Sequence, residues 1–290
     1  MTNRPVVAAV DGSELSMRAV EWAALEARRR KAPLRIVSAL PAPSRAHGYR
    51  NPPLDLAVTL RGASSRALGD AVTRTGEIAP DLTVCVDLLY GPPALAVTDC
   101  GTGALMLVVG TSGPGPYGPA LLGSVARYAV THAVCPVVVV HEETDAVLGK
   151  IAVGIRDPRN PGDALAFAFE EAALRRATLV AVHAWHRTLP GLGARYGTVD
   201  VTASAEEAER ISARLGEDMA AAIDGWRDKY PGVPVRPEIV HSHPALILPG
   251  YSARADLVVL GRHQGAVGRT AGAVRHAVLG RARGPVAIVP

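Results

Sequence analysis

Apolar and polar positions alternate along this chain in two rhythms. Short, nearly unbroken apolar runs at residues 5–10, 34–39, 107–110 and 135–140 read as buried strands. Between the first two, Ala19, Val20, Ala23, Ala24 and Ala27 recur at helical spacing and predict a covering helix. The same passage then returns. Residues 151–155 and 178–184 repeat the first two strands, with Leu165, Phe169, Ala172 and Ala173 on the helix between them. Pro93-Ala94-Leu95 is matched by Pro244-Ala245-Leu246, residues 107–110 by 257–261, and residues 135–140 by 284–289.

A repeat of about half the chain is a domain duplication rather than a solenoid. We place the domains at residues 1–143 and 148–290, with the boundary near His141 to Lys150, where the polar stretch Glu142-Glu143-Thr144-Asp145 reads as a short linker. Strands alternating with helices imply right-handed βαβ crossovers. The fold class is therefore α/β: two tandem doubly wound parallel five-stranded sheets flanked by helices. Residues 41–55 and 189–202, rich in Pro, Gly and small polar residues, read as surface loops that could form lids. In such sheets ligands bind beyond the carboxyl ends of the strands, where strand order reverses. That points to the turn after the first strand and the loop after the Val-Val-Gly strand.

Composition changes this picture little. Apolar residues make up 48% of the chain and aromatic residues only 4%, as aliphatic strands under Ala-rich helices require. The net charge is +4, and the basic run Arg28-Arg29-Arg30-Lys31 falls where a helix should end. A nucleic-acid patch is the other reading of that run, but no aromatics interleave it, so no nucleic-acid partner is expected. Cys85, Cys100 and Cys135 are expected to be buried reduced thiols. The chain runs from Met1 into its first strand without an apolar leader, and no uncharged apolar stretch is long enough to span a bilayer. A cytoplasmic protein without membrane partners is expected.

The chemistry concentrates in Gly110-Thr111-Ser112-Gly113, then nine residues, then Gly123-Ser124-Val125. Gly110 ends a buried strand, and without a Cβ it would let a ligand approach the backbone. Gly113 permits a tight turn. Gly123, Ser124 and Val125 begin a helix whose uncommitted N–H groups and positive dipole end favour a phosphate. Ser124 could cap that helix and also donate its hydroxyl to a phosphate. Asp11, in the turn Asp11-Gly12-Ser13, is an acceptor suited to a ribose hydroxyl or an adenine amino group. Its other reading is a plain helix cap beside Ser13.

Val-Asp-Gly-Ser after the first strand, joined to Gly-x2-Gly-x9-Gly-Ser before a terminal Pro-Val-Val-Val strand, resembles the ATP-binding class of the universal stress protein family. The resemblance covers nearly the whole chain in two copies. It implies a Rossmann-like fold of the adenine-nucleotide alpha hydrolase type, binding ATP, with Mg²⁺ as a companion ion. By that resemblance Ala9, Asp11 and Ala39 would hold the nucleoside, with Val109 and Gly110 nearby, while Gly113, Gly123, Ser124 and Val125 would hold the phosphates. The valine-rich terminal strands resemble the edge through which family members dimerise. Within a tandem they could pair with each other, and two chains could also associate as a homodimer.

The second copy departs from this pattern. Arg156 stands where Asp11 stands, Gln264 replaces Gly113, Gly272 follows after seven residues rather than nine, and Ala273 replaces Ser124. No ATP is expected there in the usual mode, although Arg156, Arg262 and Arg269 could receive another anion. Other readings fare worse. Gly113-Pro114-Gly115-Pro116-Tyr117-Gly118 fits G-x-G-x-x-G, but its prolines lack the N–H groups a dinucleotide turn offers. No Walker lysine follows a glycine loop, and no triad assembles. His183, His186, His241 and His243 suggest zinc, with exposed loop histidines as the alternative. The expectation is a nucleotide-binding regulatory protein without dedicated catalysis. The alternatives are a slow ATPase or other nucleotide-dependent enzyme, and a dimerisation scaffold without nucleotide.

Overall fold

A computed structural model describes residues 4–40, 54–111, 122–142, 147–186, 204–262 and 268–290. The chain divides into two compact units, Met1–Ala146 with Leu279–Pro290, and Val147–Val278.

In the first unit β1 (Val6–Ala9), β2 (Leu34–Leu40), β3 (Val84–Tyr90), β4 (Met106–Gly110) and β5 (Val137–Val140) alternate with α1 (Glu14–Arg30), α2 (Leu54–Ile78), α3 (Pro93–Asp99) and α4 (Ser124–His132). The strand order is β3-β2-β1-β4-β5, all parallel. Strand β10 (Val286–Val289) then adds antiparallel to β5, pairing Val286 with Val139 and Ile288 with Val137. The two valine-rich terminal strands thus meet, which is why the C-terminal segment belongs to this unit. Parallel strands covered on both faces read as continuous apolar runs, and Val6, Val7, Leu34, Ile36, Met106 and Leu107 have no exposed surface.

The second unit repeats the order with β6 (Lys150–Gly154), α5 (Gly162–Arg175), β7 (Thr178–Trp185), α6 (Ala205–Arg227), β8 (Val235–His241), α7 (Pro244–Tyr251), β9 (Leu257–Gly261) and most of α8 (Gly268–Arg281). Its parallel strand order is β9-β6-β7-β8. Phe169, Leu165, Ile151, Leu179 and Leu257 are fully buried at its centre.

The duplication reaches the helix ends. Helix α1 starts at the cap Ser13, whose hydroxyl accepts from the Ser16 N–H at 3.2 Å, and it ends on Arg28, Arg29 and Arg30. The basic run is therefore a helix terminus. Lys31 then turns left-handed at φ 52°, and its N–H reaches the carbonyls of Ala27 and Arg28. Arg176 closes α5 the same way at φ 53°. Inside these ends Glu26 is wholly buried against Arg29 and Arg30, and Glu171 is wholly buried against Arg175.

Three expectations need correction. Cys85 is exposed, because β3 is an edge strand with one side toward solvent; only Cys100 and Cys135 are buried, and none of the three forms a disulfide. Leu54 and Asp55 open α2 rather than closing a loop; the remainder of that loop, and residues 189–202, lie outside the described residues. His141 is buried, with Nε2 2.9 Å from the Leu279 carbonyl, so the polar linker starts after it. Among the described residues no helix is long and apolar enough to cross a membrane.

Candidate functional site

Strand order reverses between β1 and β4, which brings the turn after β1 beside the exit of β4. Val10 donates to the Val37 carbonyl at 2.8 Å, continuing the β2 ladder, and the chain then turns at Gly12 with φ 87°. That conformation favours glycine, and a Cβ there would sit 3.6 Å from the Ala67 Cβ of α2. Beside it Asp11 Oδ1 accepts from the Ser13 N–H at 2.9 Å and from the Ser13 hydroxyl at 2.6 Å. Ser13, not Asp11, caps α1. The Asp11 carboxylate is exposed and anchored through one oxygen. Ala9 and Ala39 are half-buried on the adjoining strand ends, and Val109 is buried beside Gly110 at the end of β4.

Gly110 has a reason that the sequence did not suggest. A Cβ on it would lie 2.9 Å from the carbonyl carbon and oxygen of Leu15 and 3.1 Å from the Ser16 nitrogen. Close packing of the α1 start on β4 therefore requires this glycine whatever binds nearby.

Beyond β4, Gly113 lies outside the described residues. Gly123 is the cap of α4, at φ −58° and ψ 159°, and no side chain caps the helix. Two refinements follow. Ser124 is the first helical residue rather than the cap, which leaves its exposed hydroxyl uncommitted to the helix start. The Gly123 N–H is already engaged, donating to the Thr111 carbonyl at 2.5 Å, so this bond ties the helix start to the end of β4. The first intrahelical bond runs from the Arg127 N–H to the Gly123 carbonyl at 2.9 Å. The N–H groups of Ser124, Val125 and Ala126 precede that ladder and have no intrahelical acceptor. Ala126, which the sequence reading omitted, takes the place given to the Gly123 N–H. With no acidic residue in the first turn of α4, these donors can meet an anion.

The second unit holds the corresponding turn with different chemistry. Ile155 donates to the Val182 carbonyl at 2.8 Å, as Val10 does to Val37. Strand register makes Gly154, Arg156, Ala184, Leu260 and Gly261 the counterparts of Ala9, Asp11, Ala39, Val109 and Gly110. All five line a cavity of about 100 Å³, together with Ile155, Val182, Pro244, Leu248, Val274 and Arg275. Gln264, the counterpart of Gly113, lies outside the described residues. Helix α8 begins at Gly268, so Gly272 and Ala273 sit inside it rather than at its start. Their N–H groups fall within the helical ladder and offer nothing to a phosphate. Arg275 is half-buried, and burial pushes its pKa down, as does the neighbouring Arg262. The sequence reading missed Arg275; carrying the copy-to-copy comparison two residues past Ala273 would have found it opposite Ala126.

Each of the four histidines lies against a neighbour in the fold, His186 with its ring centroid 4.4 Å from that of His243. His183 is buried on β7 with Nδ1 2.8 Å from the Ile155 carbonyl, so it is not an exposed loop residue. His241, on β8, stacks on Trp185 with centroids 4.2 Å apart. His243 caps α7, accepting from the Ala245 N–H at 3.1 Å. Among the described residues no three His, Cys, Asp or Glu side chains could hold a metal ion.

A doubly wound sheet whose order reverses beside a helix start without a side-chain cap defines an α/β protein of the Rossmann-like architecture. The family model of the universal stress proteins matches residues 2–141 and again residues 148–290, and the chain belongs to that family. It is 35% identical to "Universal stress protein Rv2005c" of Mycobacterium tuberculosis over 98% of this chain and 96% of that protein. It is 31% identical to "Universal stress protein Rv2623" of the same organism, over 98% and 95%. The crystal structure of a universal stress protein from Archaeoglobus fulgidus has a TM-score of 0.68 at 15% identity, covering 98% of this chain and 95% of that one, and so shares the fold.

Proposed function

We propose that this chain is a stress-response regulatory protein that binds one ATP in its first half, residues 1–143, with little or no turnover. The second half, residues 148–290, has lost that mode of binding. The observation that carries this reading is the contrast between two helix starts. Helix α4 opens at Gly123 with free N–H groups beside the anchored carboxylate of Asp11, whereas α8 continues past the same place beside Arg156.

In this reading the nucleoside lies against Ala9, Ala39, Val109 and Gly110, with Asp11 accepting from a ribose hydroxyl or the adenine amino group. The phosphates meet the N–H groups of Ser124, Val125 and Ala126 and the Ser124 hydroxyl. Gly113 would complete the turn. Carboxylate clusters able to cage a cation are absent among the described residues, so an accompanying Mg²⁺ would be held through the phosphates. The absence of a disulfide among Cys85, Cys100 and Cys135 fits a reducing cytoplasm.

Nucleotide carried through purification and steady-state hydrolysis together test this proposal. Bound adenine nucleotide with turnover below about 1 s⁻¹ supports it. Faster turnover would replace it with the ATPase reading, and a chain that neither carries nor binds nucleotide would replace it with the scaffold reading.

A further inference from the structure

The second unit keeps a cavity where its nucleotide chemistry is gone. Its walls are aliphatic, formed by Ile155, Val182, Leu248, Leu260 and Val274. Among the described residues its polar side chains are two arginines, Arg156 just past β6 and Arg275 on α8, and no acidic residue lines it. Arg156 is exposed, while Arg275 is half-buried and makes no hydrogen bond or ion pair among the described residues. A cation drawn from water without a counter-charge is costly, and Arg262 nearby adds repulsion. An anion in the cavity would relieve both.

Size and donors restrict the anion. At about 100 Å³ the cavity is smaller than the roughly 150 Å³ void that admits benzene, so the part it encloses suits a short apolar body. The N–H groups of Gly272 and Ala273 lie within the helical ladder, so these two offer a polyphosphate no cradle. What remains is an apolar body against a guanidinium pair, and the planar fork of arginine matches a carboxylate.

We propose that this cavity is a binding site for a small carboxylate with a short apolar body. The body packs among Ile155, Leu248, Leu260 and Val274, and the carboxylate is received by Arg156 and Arg275. The duplicated fold thereby carries two ligand sites of different class, and the second is separate from the ATP site.

The test titrates the full chain with isovalerate and with its neutral amide, isovaleramide, by calorimetry. Isovalerate is expected to bind saturably, with the amide about tenfold weaker or more, because a hydrogen-bonded charge is replaced by a neutral group. Arg275→Met should weaken isovalerate by a similar factor while leaving ATP stoichiometry unchanged, and excess ATP should not displace isovalerate. Equal binding of acid and amide would overturn the proposal without requiring any variant. Displacement by ATP, undiminished affinity in Arg275→Met, or no saturable binding of isovalerate or butyrate would overturn it as well.

Discussion

Ser13 holds Asp11 twice, through its N–H at 2.9 Å and its hydroxyl at 2.6 Å, while that same hydroxyl receives the Ser16 N–H and caps α1. One serine therefore sets both the helix start and the direction of the carboxylate beside β4.

Ser13→Ala should accordingly have two effects. Loss of the cap lowers stability by about 1 kcal/mol, read by urea denaturation. Asp11 is then free to rotate, and ATP affinity measured by calorimetry should fall along with stability. An unchanged affinity would mean that the orientation of Asp11 does not matter to binding.

Gly110→Ala should destabilise the first unit by about 1–3 kcal/mol even without nucleotide, because the new Cβ meets the Leu15 carbonyl at 2.9 Å. Denaturant midpoints measured in nucleotide-free protein check this. A variant as stable as the parent would return Gly110 to a purely ligand-facing role.

Glu26→Ala and Glu171→Ala should each cost about 3–5 kcal/mol, since each removes a fully buried carboxylate from arginines that are themselves largely buried, Arg30 and Arg175. Equilibrium unfolding by circular dichroism would show the loss in both halves. If only one variant is destabilised, the two helix ends are not energetic equivalents.

His141 makes stability depend on pH. Burial holds its pKa below the ordinary 6.5, against the opposing pull of the Leu279 carbonyl. The unfolded chain therefore binds the proton first, so this group's contribution is complete above about pH 6.5 and falls away as pH drops toward the lowered folded value. His141→Gln should flatten that part of the stability profile relative to the parent. Parallel profiles for parent and variant would exclude His141 as its source.

The strands were legible because a parallel sheet buried on both faces leaves unbroken valine-rich runs, and the repeat made each copy a check on the other. Asp11 and Ser124 were legible as types of chemistry, but their hydrogen bonds were not. That Ser13 would cap α1 and Gly123 would cap α4 depends on backbone angles that several residues could adopt. Cys85 was misjudged because an edge strand has nearly the same local pattern as a central one. The purpose of Gly110 lies in Leu15, distant in sequence, and the early start of α8 left no capping signal before Gly272. Arg275 went unseen because a lone arginine on a helix ordinarily faces water.

Calorimetric titration of ATP into the parent chain, Asp11→Arg and Arg156→Asp tests the central asymmetry most directly. The account predicts one site per chain in the parent, weakened about tenfold or more in Asp11→Arg and retained in Arg156→Asp. Two equivalent sites in the parent, or an undiminished site in Asp11→Arg, would contradict it.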